Sequence, residues 1–212
     1  MFRPIKVTFH LDGTGLYYDY HEPLMLDGIL AAALSRWHVH GEPPTRNEKP
    51  DDIPLPLRKW EKGGTWGWHA SALFPDDDAT ESMMFWRKKF RQNRAEWSTG
   101  SPNITNGTYR DWNHPLPMLL THKMTGYAMG NMGKVRKELK RSVKYLGKKR
   151  AHGRGMVVDV EVTETDSDYS MVKEGMAMRW LPDDRGSRIV RPRPPYWSMH
   201  DRVICCNVGD RI

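Results

Sequence analysis

The stretch from Met132 to Val162, MGKVRKELKRSVKYLGKKRAHGRGMVVDVEV, constrains the fold more than any other part of the chain. Met132, Val135, Leu139, Val143 and Leu146 recur at spacings of three and four, the apolar stripe of an amphipathic helix. Lys134, Lys137, Arg141 and Lys144 fall on the opposite side. The pattern predicts a helix that stops at Gly147, a turn carrying Gly147, Gly153 and Gly155, and a strand through Met156, Val158, Val160 and Val162. From Lys134 to Arg154 there are ten Lys or Arg and one acid, Glu138. Cations that dense suit a polyanion better than a core, and glycines let a backbone approach a ligand without Cβ obstruction. Lys148, Lys149, Arg150, His152, Gly153, Arg154 and Gly155 are therefore phosphate-contact candidates, with Lys144 and Arg141 on the helix beside them. Two plainer readings stand next to this one: a helix C-cap followed by a tight turn, and a solvated charged helix face.

Elsewhere, Ile5, Val7, Phe9 and Leu11 alternate with Lys6, Thr8 and His10, the period of a half-buried strand. Asp27 reads as the N-cap of a short helix with Ile29, Leu30, Ala33, Leu34 and Trp37 on one face. Residues 41 to 64 read as a long connection, and Trp66, Trp68, Ala70, Ala72 and Phe74 as a second strand. Next comes FWRKKFRQNR, where Arg87, Lys88, Lys89, Arg91 and Arg94 crowd Phe85, Trp86 and Phe90. It reads as a protruding strand or hairpin whose aromatics stack on bases, or as a charged helix with its aromatics turned inward. Asn106-Gly107 signals a turn. The order strand, helix, strands, helix, strand predicts an α+β fold of ferredoxin-like (RRM-like) type, with two helices on one sheet face and the other face open. One domain over 1–182 with an insertion around 76–115 is expected, followed by an Arg/Pro-rich C-terminal extension over 183–212 that packs on the domain.

The 212 residues include 33 basic and 26 acidic ones, a formal charge of +7, so clustering matters more than the total. Nine Trp and eight Tyr, many beside Arg or Lys, add stacking surface, although any one of them more commonly fills core. The two cysteines, Cys205 and Cys206, are adjacent and make no disulfide framework, so they read as buried packing in a reducing, cytoplasmic protein. No signal peptide and no apolar run of membrane-spanning length is evident.

Catalysis of RNA cleavage needs a general base, a general acid and a cation for the developing charge. His152 is the leading candidate, with Tyr109, His114, His122 and Lys123 as helpers, while a phosphate or base contact explains His152 equally well. Asp27 beside Gly28 invites a catalytic reading that the N-cap reading outweighs. His38 and His40 look like a metal pair but have no partners at ligand spacing, so neither a metal nor a cofactor is expected.

Two segments carry a family resemblance. Pro23-Leu24-Met25-Leu26-Asp27-Gly28-Ile29-Leu30-Ala31 resembles the opening of the first helix in RAMP proteins of CRISPR systems. LGKKRAHGRGMVVDVEV is similar to their glycine-rich loop before the last core strand. YRDWNHPLP, YAMGN and the late RPPYW also resemble the Cas-five-type subunit of type IV CRISPR effector complexes. The resemblance implies a ferredoxin-like RAMP fold with a thumb-like insertion that binds the 5′ handle of the guide RNA (crRNA) without cleaving it. It also implies prokaryotic antiviral and antiplasmid defence by RNA-guided interference. The implied partners are crRNA, target DNA near the PAM-proximal end, Cas-seven-type backbone subunits, a large Cas-eight-like subunit and, indirectly, a DinG-like helicase. The competing expectations are a metal-independent endoribonuclease that matures the guide, and a general RNA-binding module.

Overall fold

The strand predicted over Ile5 to Leu11 is β1 (Arg3–Leu11), and it forms the centre of the main sheet. The computed structural model describes residues 1–35, 48–90, 105–106, 109–148 and 152–212. After β1 come β2 (Leu16–Tyr17), α1 (Leu26–Leu34), β3 (Lys59–Lys62), β4 (Thr65–Trp68), β5 (Phe74–Pro75), β6 (Thr80–Lys88), β7 (Trp112–Leu120), β8 (Lys123–Gly130) and α2 (Met132–Ser142). The chain ends with β9 (Val157–Glu164), β10 (Val172–Lys173), β11 (Met176–Ala177), β12 (Arg188–Val190) and β13 (Val203–Cys205). The protein is thus mixed α+β, with antiparallel sheets and few helices among the described residues.

The main sheet has the order β5-β8-β1-β9, and each neighbouring pair is antiparallel. Ile5, Val7 and Phe9 point to one face, where Val160 and Val162 stand opposite Phe9 and Val7. Leu30 of α1 and Val135 and Leu139 of α2 share one buried cluster with these residues, so both helices cover this face. A separate three-stranded sheet, β2-β7-β6, is built on the long β6–β7 hairpin, in the region predicted to be inserted.

Several expectations are corrected. Helix α2 ends at Ser142 rather than at Gly147, because the backbone turns extended at Val143 and Tyr145 then bridges Met156. Asn131 caps its start, accepting from the Lys134 N–H at 3.0 Å. Alternation fails at Val158, which is 66% exposed. Leu11 pairs with Val157 and His10 with Asp159, so Val158 is the extra residue of a β-bulge. The strand expected over Trp66 to Phe74 is interrupted. Thr65–Trp68 pairs with β3, while Ala70 and Ala72 make only single bridges to Ala128 and Met25.

The sheet face away from the helices is also not the open platform expected. Thr8 is buried there, Tyr127 packs edge-on against Tyr169 with centroids 5.5 Å apart, and Lys173 lies over both rings. The covering segment is tied down by Asp168, whose Oδ2 lies 3.0 Å from His69 Nδ1. Burial would raise the Asp168 carboxyl, but hydrogen bonds from His69 and Ser170 outweigh it and hold its pKa down to about 2.

Asp27 is not the N-cap of α1. Met25 holds that position, and Asp27 lies inside the first turn, fully buried. Its Oδ2 is 3.3 Å from Arg179 Nη2, its Oδ1 accepts from the Tyr196 hydroxyl, and both Asp27 and Arg179 side chains are sealed from solvent. Arg179 also donates to the Trp68, Ala70 and Pro192 carbonyls. One guanidinium therefore joins α1, the β4–β5 link and the C-terminal extension. Arg191 and Arg193 bind Asp52 at 2.9 Å each, and Arg193 also binds Asp201 at 2.7 Å, so the extension packs through inward-turned arginines.

Removing one member of a buried, hydrogen-bonded ion pair costs about 3–5 kcal/mol. Asp27→Leu and Arg179→Met are each expected to lose that much in urea unfolding, and the variant carrying both less than the sum. Additive losses would show that the two side chains are not coupled. The Asp168 tether predicts a pH signature. A carboxylate with a depressed folded pKa stabilises above its unfolded value near 3.8, and the gain disappears as pH falls through about 2. The stability gap between wild type and Asp168→Asn should be full at pH 6 and close between pH 4 and 2. A gap unchanged over that range would mean that the contact with His69 does not stabilise the fold.

Candidate nucleic-acid interface

The glycine-rich loop begins where α2 has already ended. Its two arms are closed by backbone bonds, Leu146 N–H to the Gly155 carbonyl at 2.8 Å and Val157 N–H to the Lys144 carbonyl at 2.9 Å. Gly155 N–H then donates to the Gly15 carbonyl at 2.9 Å, fastening the base of the loop to the β1–β2 turn. Two of the three glycines are explained by this packing. Gly147 (φ +82°) would place a Cβ 2.7 Å from the Tyr17 carbonyl oxygen, and Gly155 (φ +71°) one 2.3 Å from that of Leu146. Gly153 (φ +73°) has open space around it. The base of the loop is structural, and its tip is where a ligand has access.

Around the tip, Lys148 Nζ lies 2.8 Å from a Glu22 carboxylate oxygen, with both side chains more than half exposed. Arg154 donates to the Thr14 carbonyl. Such an exposed ion pair is weak. Lys149 and Arg150 lie outside the described residues.

His152 makes the connection that matters most. Its ring packs on Trp86 of β6 with centroids 4.7 Å apart. Trp86 in turn meets Trp112 at 5.3 Å, and Trp112 meets His114 at 5.1 Å. The loop and the hairpin, distant in sequence, thus meet in an aromatic row of His152, Trp86, Trp112 and His114.

The structure divides the other sequence candidates. Strand alternation and register put Lys88 opposite Trp112 and Trp86 opposite His114, while Arg87 stands opposite Asn113. Arg87 Nε donates to Asn113 Oδ1 at 3.1 Å and its guanidinium lies 5.5 Å from the Phe85 ring centre. Trp86 and Lys88 therefore share the face of His152, and Phe85 and Arg87 occupy the opposite one. Lys89 is exposed just beyond β6. Phe90 packs on Tyr109 at 5.0 Å and its N–H donates to Asp111 at 2.7 Å. Arg91 and Arg94 lie outside the described residues, as do His38 and His40. On α2, Arg141 binds Glu138 at 2.7 Å, Lys144 Nζ is 3.5 Å from the Lys140 carbonyl, and Lys140 binds Asp159 at 2.8 Å. Arg136 donates into the sheet at the Val162 carbonyl, 2.6 Å away. Part of the helix charge is thus already matched within the fold.

The cleavage constellation does not gather around His152. Tyr109 packs on Phe90, and Lys123 stands in register with His10 on the main sheet. His122 lies under Gly13, where a Cβ would fall 2.4 Å from its ring. His114 does share the aromatic row with His152. No group of three or more His, Cys, Asp or Glu among the described residues is arranged to hold a metal. No helix among them is long and apolar enough to cross a membrane. Cys205 and Cys206 are both buried, and burial pushes the Cys205 thiol up to about 12.

Trp112 is the site residue that sequence reasoning missed. The alternation Trp112, His114, Leu116, Met118 was available, but Pro115 and Pro117 argue against a strand. The structure resolves the conflict. Tyr18 N–H donates to the Pro117 carbonyl, so Pro117 and Pro115 turn their nitrogens toward the β2 edge and cost the β6–β7 ladder nothing.

Residues 3–101 match the family model described as Csf3, CRISPR type IV associated protein. The match supports a type IV CRISPR subunit. No curated protein matches the chain. The matched part runs from β1 through α1 and β6, and so includes the LDG helix start and Trp86. It stops before α2 and the glycine-rich loop. Of the aromatic row, Trp86 lies inside the matched segment, and Trp112, His114 and His152 lie outside it.

The LDG helix start also has a physical explanation. Leu26 is core, Asp27 is the buried counter-ion of Arg179, and a Cβ on Gly28 would meet the Tyr196 ring at 3.1 Å. Placing Ala at Gly155 drives a Cβ into backbone, whereas at Gly153 it meets nothing and costs about 1–2 kcal/mol of left-handed strain. Thermal melting should show Gly155→Ala losing clearly more stability than Gly153→Ala. Equal losses would mean that the base of the loop is not docked on Leu146.

Proposed function

We propose that this chain is a non-catalytic guide-RNA-binding subunit of a type IV CRISPR ribonucleoprotein, holding the 5′ handle of the crRNA. The observation that carries the reading is the contact of His152 with Trp86, which joins the basic loop to the hairpin. Loop cations and backbone N–H groups suit phosphates, and the row from His152 to His114 suits stacked bases. The family-model match to a CRISPR type IV associated protein supports the setting. The strand order β9-β1-β8-β5, with α1 between β1 and β5 and α2 between β8 and β9, supports the ferredoxin-like RAMP reading. On this reading the hairpin is the thumb-like element, and the partners are backbone subunits, a large subunit and target DNA near the PAM-proximal end. A DinG-like helicase acts on the same target without a contact assigned to this chain.

The alternative, a metal-independent endoribonuclease, draws on one observation: His152 and His114 lie on the same aromatic row. It predicts cleavage of repeat RNA in EDTA by the purified chain, lost in His152→Ala. Binding without cleavage would eliminate it.

The binding reading is tested by co-purification. Expressed with its complex, the chain should carry a guide with an intact 5′ handle. Replacing Lys148, Lys149, Arg150 and Arg154 with Ala should cut guide retention at least tenfold. The dependence of affinity on salt should become shallower by about 0.7 in log–log slope for each phosphate no longer neutralised. Trp86→Ala should weaken binding by about 1–3 kcal/mol with the salt slope unchanged, as expected when a base loses its stacking partner. Unchanged guide retention in the four-alanine variant would refute the loop assignment.

A further inference from the structure

We propose that the groove between α1 and the C-terminal extension seats an apolar segment flanked by acidic residues, supplied by a protein neighbour. The proposal rests on the reading that this chain works inside a ribonucleoprotein. The groove has a volume of about 850 Å³ and lies between α1, the end of α2, β12 and the Pro194–Trp197 segment. Its walls are aliphatic, with Leu24, Ile29, Ala32 and Ala33 on the α1 side and Val143 on the other.

Its outer rim bears large apolar side chains that the fold leaves in water. Ile189 is 66% exposed and Trp197 is 44% exposed; Ile204, outside the groove lining but paired with Ile189 across the β12–β13 ribbon, is 45% exposed. Apolar groups grouped at the mouth of a groove mark a contact surface. Trp and Arg together are also the residue types most enriched in the energetic centres of protein interfaces.

Charge chooses the occupant. The cations that line the groove are Arg188 and Arg202. Arg188 lies 5.3 Å from the Trp180 ring centre, and Arg202 Nε donates to the Ser198 carbonyl at 3.0 Å. Neither makes an ion pair with an acid among the described residues. The one carboxylate among the lining residues, Glu22, is matched by Lys148. An apolar floor with a basic rim is complementary to an apolar segment with acidic flanks. Ser35 Oγ adds a polar anchor: it is buried in the wall and has no hydrogen-bond partner among the described residues.

A nucleic acid fits this surface less well. The neighbouring arginines of the extension, Arg191 and Arg193, are turned inward onto Asp52 and Asp201 and are withheld from phosphates. The aliphatic walls offer few groups to read base edges.

The test places a photo-reactive benzoylphenylalanine at the exposed position of Ile189, in the full chain co-expressed with the proteins and guide of its complex. Irradiation and mass spectrometry should identify a cross-linked protein peptide in which apolar residues are flanked by Asp or Glu. Arg188→Glu combined with Arg202→Glu should reduce that cross-link at least tenfold while guide retention stays unchanged. Cross-linking to RNA, to a peptide rich in Lys or Arg, or to no protein at all overturns the proposal. Guide retention is scored in the same sample: a retained guide without the protein cross-link sinks the groove and leaves handle binding standing. A protein cross-link without a retained guide sinks handle binding and leaves the groove.

Discussion

The architecture depends on one buried guanidinium. Arg179 is sealed from solvent, its charge is balanced by Asp27, and its two terminal nitrogens also donate to main-chain carbonyls from two other segments. A buried cation with its partners so specified tolerates little movement, because each displaced carbonyl leaves a polar group unsatisfied in a low-dielectric interior. The network therefore holds the position of α1 relative to the chain that follows β9. It also holds the C-terminal extension, since Pro192 and Tyr196 are among its partners.

At the glycine-rich loop the constraint is backbone closure. The arms of the glycine-rich loop hydrogen-bond to each other and to the β1–β2 turn, so the loop leaves the fold in a defined direction. That direction carries His152 onto Trp86, and two basic, aromatic segments become one surface. The sheet face that similar α+β modules use for RNA is meanwhile covered by Tyr169 and Lys173.

Much of the fold was legible where a periodic pattern met no competing contact. β1, α1 and α2 are read directly from apolar spacing, because one face of each must be buried. Reading failed where tertiary contacts overrode local preference. Asp27 looks like an N-cap because short acids cap helices, yet the counter-ion that draws it inside lies 152 residues away. Val158 continues an apolar alternation but is expelled by a bulge whose origin is the register with β1. The acids that turn the arginines of the RPRPP segment inward, Asp52 and Asp201, are recognisable only in three dimensions.

The amino-acid sequence by itself determined the chemistry available: a dense run of cations, three glycines in one turn, and aromatics beside basic residues. These are local properties, set by residue type and spacing. Tertiary structure alone decided which of them act together. It left Gly153 open while committing Gly147 and Gly155 to close packing, put Trp86 and Arg87 on opposite faces of one strand, and added Trp112 and His114 to the row with His152. The physical reason is that side-chain direction and long-range pairing follow from register and backbone closure, and neither is encoded in composition or local spacing.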